Sequence, residues 1–92
     1  AGMVYYSVAM YSRSRYWYER GLEILLKLNR VSGNDCHFEI ANCWNGLGMV
    51  DREEGKYFGA SIKHYQSLEI YERIGNKWGI GFILKIFCYK LS

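Results

Sequence analysis

The sequence predicts an all-α domain built from antiparallel helical hairpins that stack on one another. Apolar residues recur at steps of three and four over most of the chain, which is the period of an amphipathic helix. Proline, the strongest helix breaker, is absent from all 92 residues. Residues 2–4 (Gly-Met-Val) return at 48–50 and residues 22–24 (Leu-Glu-Ile) return at 68–70, and such a repeat indicates stacked supersecondary units.

About five helices in up-and-down order are expected. Their predicted bounds are 2–8, 11–30, 37–53, 57–74 and 77–91. The fourth predicted helix, 57–74, shows most clearly why a helix is expected. Tyr57 and His64 belong to a run of core-facing positions at helical spacing in this segment. Gly55 precedes this helix, and Gly75 with Asn76 suit the left-handed turn that closes one. The same reasoning gives the other four, which short polar or glycine-containing joints separate.

A β-strand near the start of the chain is the alternative to the helical prediction. The run Val4-Tyr5-Tyr6 has strand-forming residues, but sustained alternation of apolar and polar positions is missing. The hairpin-like pair Asn45-Gly46 lies inside a helical pattern instead of between two alternating runs. The helical prediction is therefore retained.

Composition limits the class of protein. Half of the residues are apolar and 17% are aromatic, which argues against intrinsic disorder, and 92 residues suffice for a single domain, 1–92. The three cysteines (Cys36, Cys43 and Cys88) are sparse and odd in number, unlike the cysteines of a secreted disulfide scaffold. We therefore expect a protein of the reducing cytoplasm. The net charge is +3, and the basic residues are scattered along the chain, so the composition does not argue for a nucleic-acid partner. The longest apolar stretch, 78–89, is too short to span a membrane.

The middle of the chain carries a motif. Trp44-x-x-Leu47-Gly48 is followed by an aromatic at Tyr57 and a small residue at Ala60, an order that resembles the tetratricopeptide repeat (TPR). Asp51 departs from the pattern, since the family favours an aromatic there. Residues 67–81 (Ser-Leu-Glu-Ile-Tyr-Glu-Arg-Ile-Gly-Asn-Lys-Trp-Gly-Ile-Gly) resemble the longer TPR subclass, whose repeats hold about 40 residues.

The resemblance implies a short right-handed superhelix. It would consist of a truncated first repeat at 1–30, a second repeat at 37–74 and the first helix of a third repeat at 77–91. In TPR proteins the first helices of successive repeats line a concave groove. The resemblance therefore implies a non-catalytic scaffold or adaptor, without cofactor or metal, whose partner is a protein, a peptide or a partner helix. The residues expected to line the groove are Met3, Tyr6, Asn42, Asn45, Met49, Arg52, Phe82, Lys85 and Tyr89.

A zinc site and a cysteine–histidine catalytic site are not expected in this chain. Cys36, His37 and Cys43 have side chains that bind zinc, but a fourth ligand and a Cys-x-x-Cys pair are missing. Cys43 with His64 as its base would need an orienting group and a pocket. We therefore expect these residues to be structural.

An RNA-binding or regulatory helical repeat is the alternative function. Tyr11, Tyr16, Trp17 and Tyr18 are interleaved with Arg13, Arg15 and Arg20, and such clusters stack on and neutralise single-stranded nucleic acid. Packing between repeats, with arginine stems covering the aromatic rings, explains the same residues and is preferred.

The last predicted helix is apolar around most of its circumference. A helix of this kind is normally buried, so we expect further repeats, the bound partner or a second copy of the chain to cover it. The residues expected to mediate a possible homodimer are Ile83, Phe87 and Leu91.

Overall fold

The described part of the chain forms four α-helices in a computed structural model. They are α1 (Gly2–Val31), α2 (His37–Glu53), α3 (Tyr57–Arg73) and α4 (Lys77–Leu91). The structure describes the backbone of residues 2–31 and 36–91, and the side chains of residues 10–31 and 36–87. No strand occurs within those ranges, which confirms the all-α prediction for the described part of the chain.

The expected count of five helices is wrong, because the first two predicted helices are one. Helix α1 runs without interruption through 9 and 10, where the repeat pattern predicted a turn. The later turn depends on Gly55, whose φ of 80° is reached easily only by glycine. The corresponding residue in the first copy is Ala9, the best helix former, so nothing stops the helix there.

The two turns that join α2, α3 and α4 share one hydrogen-bond pattern. Gly55 N–H donates to the Arg52 carbonyl (3.0 Å) and Lys56 N–H donates to the Asp51 carbonyl (2.8 Å), which is a Schellman motif. Gly75, with φ 70°, heads the same motif after α3. Asn76 then caps α4, since its Oδ1 accepts a hydrogen bond from Gly79 N–H at 2.8 Å.

Consecutive helices lie side by side and antiparallel. The contacts between α2 and α3 are the most extensive, followed by those of α1 with α2 and of α3 with α4. Two glycines of α2 permit this close approach. The Tyr18 ring of α1 lies directly over Gly46, and His64 of α3 lies over Gly48, where an added Cβ would be 2.8 Å from the imidazole ring.

The core has two parts, which meet at α2. The first holds Leu22 of α1 with Ile40 and Leu47 of α2. The second holds Ala41 of α2, Tyr71 of α3 and Ile83 of α4. Because α2 contributes to both, it is the central helix of the domain. In the described residues, no helix is long and apolar enough to cross a membrane.

Candidate functional site

A cleft opens between the alternate helices α2 and α4. It has a volume of about 290 Å³. The cleft is lined by Met49 and Arg52 of α2 and by Phe82, Lys85 and Ile86 of α4. Four of these five side chains belong to the groove predicted from the sequence. Ile86 is the addition, and its position one turn after Phe82 is the signal that could have identified it.

The cleft combines an apolar floor with two cations. Phe82 and Ile86 pack against the second core part, which holds them in place from below. Met49 is 43% exposed and contributes a flexible thioether to the wall. Arg52 comes from α2 and Lys85 from α4, so each of the two helices contributes one cationic side chain to the cleft.

The other predicted groove residues do not line this cleft. Asn42 is exposed, and its Oδ1 accepts a hydrogen bond from the Tyr71 hydroxyl, which ties α2 to α3. Asn45 is buried, with 9% of its surface exposed, and its Oδ1 has no hydrogen-bond partner among the described residues. The side chains of the remaining three lie outside the described residues. They are Met3, Tyr6 and Tyr89.

A cluster of charged side chains joins α1, α2 and α3 beside the first turn. Asp51 is 3% exposed, and its two oxygens accept hydrogen bonds from Arg15 of α1 (2.8 Å to Oδ1) and from Lys63 of α3. Arg15 also contacts Glu54, and Lys56 lies 3.6 Å from the same carboxylate. Asp51 stands where the tetratricopeptide repeat favours an aromatic, and its role in this cluster was not predicted from the sequence. A charge at an expected core position signals a buried partner.

Hydrogen bonds decide the ionisation of this cluster. Burial by itself would raise the pKa of Asp51, but the hydrogen bonds from Lys63 and Arg15 outweigh burial and lower that pKa below its ordinary value of 3.8. The hydrogen bond from Arg15 likewise lowers the pKa of Glu54, and the two carboxylates raise the pKa of Arg15. Asp51, Glu54 and Arg15 are therefore charged at neutral pH, and the cluster holds α1, α2 and α3 together.

The three residues expected to mediate self-association do not share one environment. Ile83 is 0% exposed, since it packs against Ala41 and Tyr71 of the same chain. The prediction is therefore wrong for Ile83, which is not open to a second copy. Phe87 packs against that core part as well, with its ring centroid 4.9 Å from that of Tyr65, but it remains partly exposed. The prediction stays a prediction for Phe87, and the Leu91 side chain lies outside the described residues.

Cysteines and histidines are spread over different faces. Cys43 packs on the α1 side of α2, within 3.6 Å of the position that a Gly21 Cβ would take, whereas His64 meets α2 at Gly48 and the Phe87 ring of α4. Burial raises the pKa of Cys43, which disfavours the thiolate that a nucleophile requires. Among the described residues, no three His, Cys, Asp or Glu side chains are grouped to hold a metal ion.

The aromatic and arginine cluster of the alternative hypothesis divides into two faces of α1. Arg15 points inward to Asp51 and Glu54, and Tyr18 covers Gly46. Tyr16 and Trp17 are exposed, and their rings meet edge to face with centroids 5.2 Å apart. Arg13 and Arg20 are also exposed. Arg15 and Tyr18 therefore have a packing role, whereas the other described members of the cluster named here face solvent.

Comparison of the chain with family models gives no match, and comparisons with curated proteins and with solved structures give none either. The resemblance to the tetratricopeptide repeat therefore rests on the motif residues themselves.

Proposed function

We propose that this protein is a non-catalytic interaction module of TPR-like architecture, which binds a peptide or a partner helix in the cleft between α2 and α4. The observation that carries the proposal is the cleft itself, where Met49, Phe82 and Ile86 form an apolar surface next to Arg52 and Lys85. Apolar anchors with cations beside them suit a ligand that has apolar side chains and carboxylates.

The position of the cleft supports the TPR-like part of the proposal. In TPR proteins the ligand groove is lined by the first helix of each hairpin, and α2 and α4 are the helices that the motif assigns to that role. The turn at Gly75 and Asn76, on which the subclass resemblance depends, has the tight geometry that such a joint requires. A cytoplasmic location is part of the proposal and rests on the sparse cysteines.

Binding to a short acidic peptide tests the proposal. A fluorescent peptide of about ten residues that alternates Leu and Glu is long enough to fill the cleft, and binding is followed by fluorescence anisotropy. Lys85→Glu replaces attraction by repulsion, and Phe82→Ala removes an apolar anchor. Each change is expected to weaken binding about tenfold, which corresponds to about 1.4 kcal/mol.

Lys77→Glu is the matched control, since Lys77 is exposed on the same helix and does not line the cleft. It carries the same charge change and should leave the affinity within about twofold of the original. Circular dichroism of each variant verifies that the helices are intact. Equal affinities for Lys85→Glu and Lys77→Glu, with Phe82→Ala unchanged, would refute the proposed site.

A further inference from the structure

The outer face of α1 carries an apolar stripe with a strict seven-residue period. Its four residues are Met10, Trp17, Ile24 and Val31, with 43%, 63%, 47% and 80% of their surfaces exposed. Large apolar side chains that are exposed singly are ordinary. Four at one period over 22 positions of a single helix form a row about 32 Å long at 1.5 Å per residue, with one large apolar side chain about every 10.5 Å.

A row of cations follows the stripe with the same period. Arg13, Arg20 and Lys27 each stand three residues after a stripe residue, and all three are exposed. None of them takes part in the ion pairs found among the described residues, in contrast to Arg15, which points inward to Asp51. The cations therefore remain available to a partner along the whole stripe.

Two clefts mark the places where a partner side chain would enter. One, of about 410 Å³, is lined by Arg13, Ser14, Trp17 and Tyr18. The other, of about 320 Å³, is lined by Ile24, Lys27, Leu28 and Val31. Each cleft places an apolar stripe residue beside a cation, so the same recognition unit occurs twice on one helix.

We propose that this face of α1 docks an acidic amphipathic helix of about three heptads, and that the docking is separate from the cleft between α2 and α4. A partner helix with an apolar residue every seven positions would place its side chains along the stripe, at half the density of a coiled-coil seam, which has two apolar positions per heptad. Carboxylates at the same period would recur about every 10.5 Å along the partner axis, which is the spacing of Arg13, Arg20 and Lys27.

The seven-residue period favours a helix over single-stranded nucleic acid as the occupant. Nucleic acid binds through stacked aromatic rings and closely spaced cations that track the phosphates. Here only Trp17 of the four stripe residues is aromatic, while Ile24 and Val31 are aliphatic. The aromatic partner of Trp17, Tyr16, meets the indole edge to face and so supports its position from the side.

A pair of designed peptides tests the proposal. Both have three heptads with leucine at the apolar positions, and they differ only in having Glu or Lys beside the leucines. Anisotropy titrations at low and moderate salt should give an affinity for the Glu peptide at least tenfold above that for the Lys peptide, with the difference reduced by salt.

Variants of the intact protein place the binding on α1. The double variant Arg20→Glu/Lys27→Glu should invert the preference for the two peptides, and Trp17→Ala should weaken the Glu peptide about tenfold. Trp17 is mostly exposed, so its removal leaves the fold intact. Lys85→Glu is the control for the other cleft and should leave the affinity for the three-heptad Glu peptide within about twofold.

Four results would overturn the proposal. Equal binding of the Glu and Lys peptides would show that the cations play no part, and an unchanged preference in the double variant would place the binding elsewhere. Loss of binding in Lys85→Glu would assign the peptide to the cleft between α2 and α4. The fourth result concerns a labelled single-stranded RNA. If the RNA binds when the Glu peptide does not, and the double variant no longer binds it, this face would be assigned to nucleic acid.

Discussion

Replacement of Asp51 by asparagine should destabilise the protein by about 2 kcal/mol. Removal of one partner of a buried ion pair costs about 3–5 kcal/mol when the remaining charge stays buried. The side chains of Arg15 and Lys63 are 24% and 29% exposed, so both recover part of their hydration. Arg15 also keeps Glu54, and asparagine keeps one acceptor oxygen, so the expected loss is below the range for a fully buried pair.

The pH dependence supplies a second readout for the same residue. The folded state lowers the pKa of Asp51 and Glu54 below their ordinary values of 3.8 and 4.5, so folding is favoured when both are ionised. This stability is complete above the ordinary values and is lost as the pH falls through the lower folded values. The Asp51→Asn variant lacks the contribution of the Asp51 carboxylate at every pH. Its free energy of unfolding should therefore change less than that of the original protein between about pH 5 and pH 2.

Urea denaturation at pH 7 and at several lower pH values measures both effects on the free energy of unfolding, and a temperature scan at pH 7 gives the thermal midpoint; both are followed by circular dichroism. At pH 7 the thermal midpoint should fall by about 10 °C, since each kcal/mol shifts a domain of this size by about 4–8 °C. Glu69→Gln is the control, because Glu69 and Arg73 form an exposed pair on one helix whose loss costs less than about 0.5 kcal/mol. Equal stabilities of the two variants would refute the view that the Asp51 cluster ties the helices together.

Two further substitutions test the packing, each with a matched control and each measured by urea denaturation. Gly48→Ala puts a Cβ 2.8 Å from the buried His64 ring, whereas Gly81→Ala enters open space. The first should be less stable than the second by about 1–3 kcal/mol, and equal values would contradict the close contact. Ile83→Ala should cost about 2–5 kcal/mol because Ile83 is fully buried, and Leu84→Ala, at a half-exposed neighbour, should cost under about 1.5 kcal/mol. A larger loss for Leu84→Ala would mean that α4 packs through the other face.

Local signals in the sequence were sufficient for most helix boundaries. The prediction of α2 at 37–53 and of α4 at 77–91 agrees with the structure, and α3 ends one residue earlier than expected. These ends are specified by Gly55, Gly75 and Asn76, whose effects on the backbone are local. The joint expected before position 11 does not exist, because Ala9 and Met10 are neither polar nor glycine and helix α1 continues through both.

The candidate site was predictable only through the resemblance to the tetratricopeptide repeat. That resemblance named Met49 and Arg52 on α2 and Phe82 and Lys85 on α4, and helical spacing puts the members of each pair on one face of their helix. Periodicity does not reveal which neighbour covers which side of an apolar helix. For that reason Ile83 was placed on an external surface although it is buried, and the meeting of three helices at Asp51 was missed.

The charged cluster at Asp51 also determines how the helices are aligned along their axes. Apolar contacts such as those of Leu22 with Leu47 tolerate sliding, because a helix moved by one turn presents a similar row of side chains. A slide of one turn would displace a side chain by about 5.4 Å, nearly twice the 2.8 Å that separates Arg15 from Asp51. Since Asp51 binds α1 and α3 at once, a slip of either helix breaks an ion pair, and only one alignment keeps them all.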